Sequence, residues 1–182
     1  MIERTLVLIK PDAVRRNLIG EIISRFEKVG LKIVGLKMVK LSKEEAMKFY
    51  PSSEEWLKNV GKKSYETYVK LGIDIKKEFG TDDLVEIGKK IKEWLAEFMS
   101  SDRIVAIVLK GPNAISVVRK IVGPTKPIEA QPGTIRGDYS FDSPEIANAE
   151  KRALFNVVHA SDSKEEAERE IKFFFKENEI FD

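Results

Sequence analysis

His159 is the only histidine in the chain of 182 residues, and it ends an apolar run inside NVVHASDS (156–163). A neutral imidazole with a pKa near ~6.5 is a competent nucleophile at physiological pH. The helix-start signal Ser161-Asp162-Ser163 follows, then a charged amphipathic run to Glu177. That order predicts a histidine at a strand end facing a helix N-terminus, a place that suits a phosphate. A single histidine there is equally compatible with a structural role, so the rest of the chain has to decide. Phosphoryl transfer needs fixed cations around the phosphates, because charge stabilisation supplies most of the catalysis. Lys10 closes the first strand in LIKPD, and Arg119 lies on a helix ahead of Gly123-Pro124-Thr125. Arg136 sits in PGTIRGD (132–138), where two glycines free the backbone to approach a ligand. Glu170 follows next to the apolar Ile171. It could accept an imidazole N–H and set the tautomer, or be one more surface carboxylate beside Glu165, Glu166 and Glu168. Tyr50, before Pro51, has the position of a half-buried ring closing a helix.

Absences narrow the chemistry. The sequence contains no GxxxxGK[ST] loop, no GxGxxG turn and no second histidine for a metal pair. It has no cysteine, which removes disulfides, thiolate metal sites and a cysteine nucleophile. A serine nucleophile would need His159 as its base, and no G-x-S-x-G elbow supports one. His159 is therefore the better nucleophile itself. A net charge of +2 is too small for a nucleic-acid footprint. The opening MIERTLVLIKP has too short an apolar stretch for a signal core or membrane span. The expectation is a cytoplasmic protein with neither a membrane nor a nucleic acid as partner.

The elements that must position these residues follow from periodicity. Thr5–Ile9, Leu31–Leu41, Ile104–Leu109 and Leu154–Val158 read as strands, the third nearly all apolar and hence central. Helical spacing covers 12–29, Ser42 to Tyr50, 84–100, 113–122, 144–152 and the segment after Ser163 that buries Ala167, Ile171 and Phe174. Ser42 with Glu45 makes a capping box, and Asp83 a further cap. Between Pro51 and Gly88 short helical pieces broken by Gly61, Gly72 and Gly80 are expected. The long connection from Thr125 to Ser143 is of a kind that is usually functional. Two βαβ units with right-handed crossovers give an α+β, ferredoxin-like βαββαβ sandwich: a four-stranded antiparallel sheet with helices on its face, plus a helical insertion. No linker marks a second domain, so residues 1–182 are expected to be one domain.

ERTLVLIKPDAVRRNLIGEII (3–23), GLKIVGLKMVKLS (30–42), VAIVLKGPNAISVVRKIVGPTKP (105–127), PGTIRGD and NVVHASDSKEEAEREI (156–171), in that order, resemble nucleoside diphosphate kinases over about two-thirds of the chain. The resemblance implies Mg²⁺-dependent ping-pong transfer of a γ-phosphate between nucleoside tri- and diphosphates through phosphohistidine at His159, with low base and sugar specificity. It implies that Glu170 and Ser161 orient the histidine, and that Arg119, Thr125 and Arg136 bind phosphates. Lys10 and Asn156 match the residues at the ribose 3′-hydroxyl and neighbouring phosphate oxygens, and Tyr50 one near the phosphate. Mg²⁺ arrives on the nucleotide, not in a protein cage. A homohexamer, alternatively a tetramer, is the family's habit. Insertions at about 53–88 and 141–151 resemble those of archaeal-like members. The family's base-stacking Phe falls near Ile91 and its aliphatic partner near Leu95. An isoleucine offers no aromatic face, so stacking there must weaken or come from elsewhere. The rival is a non-catalytic nucleotide- or RNA-binding module of the same fold. Its sheet would carry paired aromatics, which the first and third strands lack.

Overall fold

The computed structural model describes residues 2–182. They form two compact units: one holds the chain up to Lys40 with Asp102–Phe141 and Asn156–Asp182, the other Leu41–Ser101 with Asp142–Phe155.

The first unit is built on strands β1 (Ile2–Ile9), β2 (Lys32–Val39), β3 (Ile104–Pro112) and β4 (Val158–Ala160). Their order is β2-β3-β1-β4, with every neighbouring pair antiparallel. This is the expected ferredoxin-like sheet, and β3 is central as its unbroken apolar run implied. Side chains alternate between the two faces. Val7, Ile9, Ile107 and Leu109 form one core with Ile22 and Phe26 of α2 (Ile19–Glu27) and Val118 and Val122 of α7 (Ala114–Val122). Leu6 and Leu8 turn to the opposite face, where α10 (Lys164–Phe174) packs on β1. Burying each such side chain contributes about 1.5–3 kcal/mol.

Strand ends shift by a few residues, and two differences from the sequence expectation bear on the site. The helix read over 12–29 is two helices, α1 (Pro11–Arg15) and α2, because Asn17 takes a left-handed conformation (φ 58°). The last strand is not Leu154–Val158 but Val158–Ala160, so His159 lies within it, paired with Leu8. The backbone ahead of it is occupied elsewhere: Val157 N–H donates to Asp12 Oδ2 at 3.0 Å, and its carbonyl accepts from Lys10 N–H at 2.9 Å. Asp12 thus does not cap α1; that helix start has no side-chain cap. The connection from Thr125 to Ser143 contains a 3₁₀ turn, Pro127–Glu129, and helix α8 (Ile135–Tyr139).

The second unit is helical: α3 (Lys43–Phe49), α4 (Glu54–Lys70), α5 (Ile75–Phe79), α6 (Leu84–Ser100) and α9 (Pro144–Ala149). The Ser42–Glu45 box closes in both directions, and Asp83 caps α6 through Val85 N–H and Glu86 N–H. Gly72 and Gly80 end helices as expected, with positive φ. Gly61 does not. α4 runs through it, because Gly61 and Gly88 are where α4 and α6 touch backbone to backbone. A Cβ on Gly61 would lie 1.9 Å from the Leu84 carbonyl oxygen, and one on Gly88 2.0 Å from that of Leu57. Buried polar groups in this unit are closed into pairs. Tyr68 donates to the Asn148 carbonyl (2.6 Å) and Ser64 to the Asn148 side chain (3.0 Å). Asp142 accepts from Arg152 (2.6 Å) and from Phe155 N–H (2.8 Å). None of the helices among the described residues is long and apolar enough to cross a membrane.

Candidate active site

Pairing with Leu8 turns His159 toward the face that carries α10. There Glu170 sits one turn before Phe174 in the buried stripe Ala167-Glu170-Ile171-Phe174 and is 3% exposed. Its two oxygens lie 2.8 and 2.9 Å from His159 Nε2. An ionised carboxylate only accepts, so Nε2 carries the proton and Nδ1 the lone pair. Ser161 Oγ donates to Glu170 Oε2 at 2.7 Å, while Leu6 N–H donates to Ser161 Oγ at 3.3 Å, tying both to β1. Burial pushes the Glu170 carboxyl up, but hydrogen bonds from His159 and Ser161 and the charges of His159 and Arg169 outweigh it and hold it below the ordinary glutamate value.

A second cluster joins the same strand from its other end. Lys10 Nζ, buried at the end of β1, donates to Asn156 Oδ1 at 2.6 Å, and Asn156 Nδ2 donates to the Thr125 carbonyl at 2.8 Å. Burial, then the positive charge of Arg136, lowers the Lys10 ammonium to about 8, against an opposing pull from Asp12. Arg136 uses its guanidinium as a three-way tie. Nε donates to the carbonyl of Asn156 (3.3 Å), Nη1 to that of Gly123 (2.9 Å) and Nη2 to that of Val158 (2.8 Å). Burial and the nearby Arg119 lower it to about 10; it still carries its charge at neutral pH. Arg119 itself is exposed on α7. Between the clusters, Val158 N–H donates to the Asn156 carbonyl at 2.7 Å around Val157, whose φ is 58°. This is a γ-turn of the strained, positive-φ kind, and a β-branched residue occupies its centre.

The fold therefore brings together His159, Glu170, Ser161, Lys10, Asn156, Thr125 and Arg136, and the charge of Arg119 reaches Arg136. Tyr50, Ile91 and Leu95 belong to the helical unit. There Tyr50 stands against the rings of Phe49 (5.3 Å) and Trp56 (6.3 Å). Ile91 packs on the cluster of Tyr68, Ile75 and Ile87, and Leu95 is half-buried. Sequence reasoning missed Asp12 as the group that holds the γ-turn. The signal was its place directly after Lys10-Pro11. No cluster of three or more His, Cys, Asp or Glu able to hold a metal occurs among the described residues. The charges that converge are cationic, which fits phosphate oxygens.

A family model described as nucleoside diphosphate kinase matches residues 3–70 and 85–180. A nucleoside diphosphate kinase of Pyrobaculum aerophilum is 60% identical over 181 residues, which cover 100% of this chain and 99% of that one. The crystal structure of an NDP kinase from the same organism superposes with a TM-score of 0.98 at 58% identity, with both chains covered in full. A Borrelia burgdorferi nucleoside-diphosphate kinase, solved as a transition-state mimic with vanadate and ADP, matches with a TM-score of 0.78 at 36% identity, covering 100% of this chain and 91% of that one. With its sheet, its histidine strand and its full length all matched, the chain belongs to the nucleoside diphosphate kinase family.

Proposed function

We propose that the chain moves a phosphoryl group from a nucleoside triphosphate to a nucleoside diphosphate through His159. The carrying observation is the Glu170 carboxylate on Nε2, which makes Nδ1 the attacking nitrogen. Nδ1 bonds to the γ-phosphorus, the bond to the β–γ bridging oxygen breaks, and the nucleoside diphosphate departs with that oxygen's charge. Glu170 stabilises the imidazole as positive charge builds on it, and Ser161 keeps Glu170 turned toward the ring. In the return step a terminal oxygen of the incoming diphosphate attacks phosphorus and the P–N bond breaks. Lys10, Arg119 and Arg136 offset the charge that spreads over the phosphoryl oxygens, with Thr125 and Asn156 as neutral phosphate and sugar contacts. Mg²⁺ belongs to the substrate: it comes and goes on the nucleotide phosphates. Because sugar and phosphates supply most of the contacts, little base discrimination follows; low sugar specificity enters from the family resemblance alone.

The same reading treats residues 1–182 as one functional domain of a cytoplasmic homo-oligomer, six copies or alternatively four. Tyr50, Ile91 and Leu95 enter it as nucleotide contacts by family position alone.

The test is incubation of the purified protein with ATP labelled in the γ-phosphate, followed by a GDP chase. Acid-labile, base-stable label on His159 that moves to GTP is the expected result. A protein that binds nucleotide but takes no label would overturn the proposal and make this a binding module.

A further inference from the structure

Arg136 reaches three backbone carbonyls only while its own turn keeps its shape. Arg16 and Glu21 hold the far end of that turn at Tyr139, and of the described residues outside it Arg25 alone fastens its two ends to each other. The turn begins at Gly133, in a left-handed conformation (φ 91°), and runs into α8, whose start is capped by Thr134 Oγ1 accepting Gly137 N–H at 3.1 Å. Gly137 has no room for a side chain: a Cβ would lie 2.1 Å from the Gln131 carbonyl oxygen. The two ends meet at Asp138, whose Oδ1 accepts Gly133 N–H at 2.8 Å. Arg25, in the last turn of α2, grips both ends at once. Its Nη1 donates to the Gly133 carbonyl at 2.9 Å, and its Nη2 is ion-paired with Asp138 Oδ2. Its guanidinium carbon also lies 5.4 Å from the centre of the Tyr139 ring. A planar fork can serve two acceptors in fixed directions, which a lysine cannot do.

We propose that Arg25 is a positioning residue for phosphoryl transfer: by clamping Gly133 and Asp138 it holds the turn in the arrangement from which Arg136 grips the backbone just ahead of His159, at Asn156 and Val158, and at Gly123. This rests on the phosphohistidine reading above. The Gly133 N–H first, and then Arg25, keep the Asp138 carboxyl below its ordinary value, so the pair stays ionised well into the acid range.

The side chains of Arg25 and Asp138 are 26% and 27% exposed, so solvent screens the pair and it adds little to global stability. Its effect should appear in rate, not in melting temperature. At saturating Mg-ATP, Arg25→Gln is expected to slow single-turnover phosphorylation of His159 about tenfold or more, with less than about a threefold change in nucleotide KM. Arg25→Lys keeps the charge without the fork and should not restore the rate. Asp138→Asn should slow it similarly, and the double variant should be little worse than either single one. Amide exchange of residues 133–139 should quicken in Arg25→Gln without nucleotide, while β1 and β3 keep their protection. Wild-type rates in Arg25→Gln, or full rescue by Arg25→Lys, would overturn the inference. A wild-type protein that never takes label would instead defeat the phosphohistidine reading, and the exchange of 133–139 would still decide whether Arg25 holds the turn.

Discussion

The sheet unit and the helical unit treat buried polar groups in different ways. In the helical unit they are closed: Ser64 and Tyr68 end on Asn148, and Asp142 ends on Arg152 and Phe155. In the sheet unit they are hydrogen-bonded too, but two of them are cations buried in one site. Burial, and then a neighbouring positive charge (Arg136 on Lys10, Arg119 on Arg136), shifts each of Lys10 and Arg136 toward its neutral form. Closed pairs stabilise a fold and ask nothing of a ligand. Like charges held together beside a histidine are disfavoured until an anion arrives, which supports the proposal that the phosphates bind here.

His159→Asn should break the contrast most sharply. Labelling by γ-labelled ATP is expected to fall by about 10⁴-fold or more, while far-ultraviolet circular dichroism and cooperative melting are kept. Gly61→Leu aims at the other side of the comparison. With a carbonyl 1.9 Å from the new Cβ, α4 and α6 must separate, at a cost of about 3 kcal/mol. Hydrogen exchange should show this as lost protection in α4 and α6, with β1 and β3 as the reference.

Glu170→Gln should slow His159 phosphorylation by about 10–100-fold, since a neutral amide cannot support a developing imidazolium. It also has a stability signature. Because the native carboxyl is held below its ordinary value, Glu170 stabilises the fold above that value, and the contribution disappears as pH falls through the native one. Denaturant titrations of Glu170→Gln and wild type should therefore converge toward acid.

The mildest probe concerns Lys10. Nucleotide phosphate raises its pKa from about 8, so binding at pH 8 should take up about half a proton. Calorimetry in buffers of different ionisation heat should show this, with the uptake vanishing near pH 6.5 and in Lys10→Met. Without ligand the sign for stability is reversed from the glutamate case. The unfolded lysine holds its proton up to its ordinary pKa of 10.5, so this group's destabilisation is relieved as pH rises from about 8 through that value.

Much of this was legible in the sequence. Caps at Ser42 and Asp83 and the apolar centre strand stand where their chemistry put them. Glu170 was half-legible: it occupies a buried position in the Ala167-Ile171-Phe174 stripe, and an acid there needs a partner. What could not be read was set by tertiary geometry. Gly61 looks like a helix breaker, yet it is a contact surface, which only the crossing of α4 and α6 reveals. The strand leading to His159 begins late because Asp12 and Lys10, nearly the whole chain away, take the backbone groups of Val157.

The three-way tie of Arg136 also bears on how the chain acquires activity. Its guanidinium bridges carbonyls 13, 20 and 22 residues away, all of which must be in place together. A partly folded chain therefore has no weakened version of this pocket to offer, since an unanchored arginine loses all three of its carbonyl partners at once. During refolding, phosphotransfer should return in step with the slowest structural phase of the sheet unit, so that recovered turnover reports completed assembly of that unit.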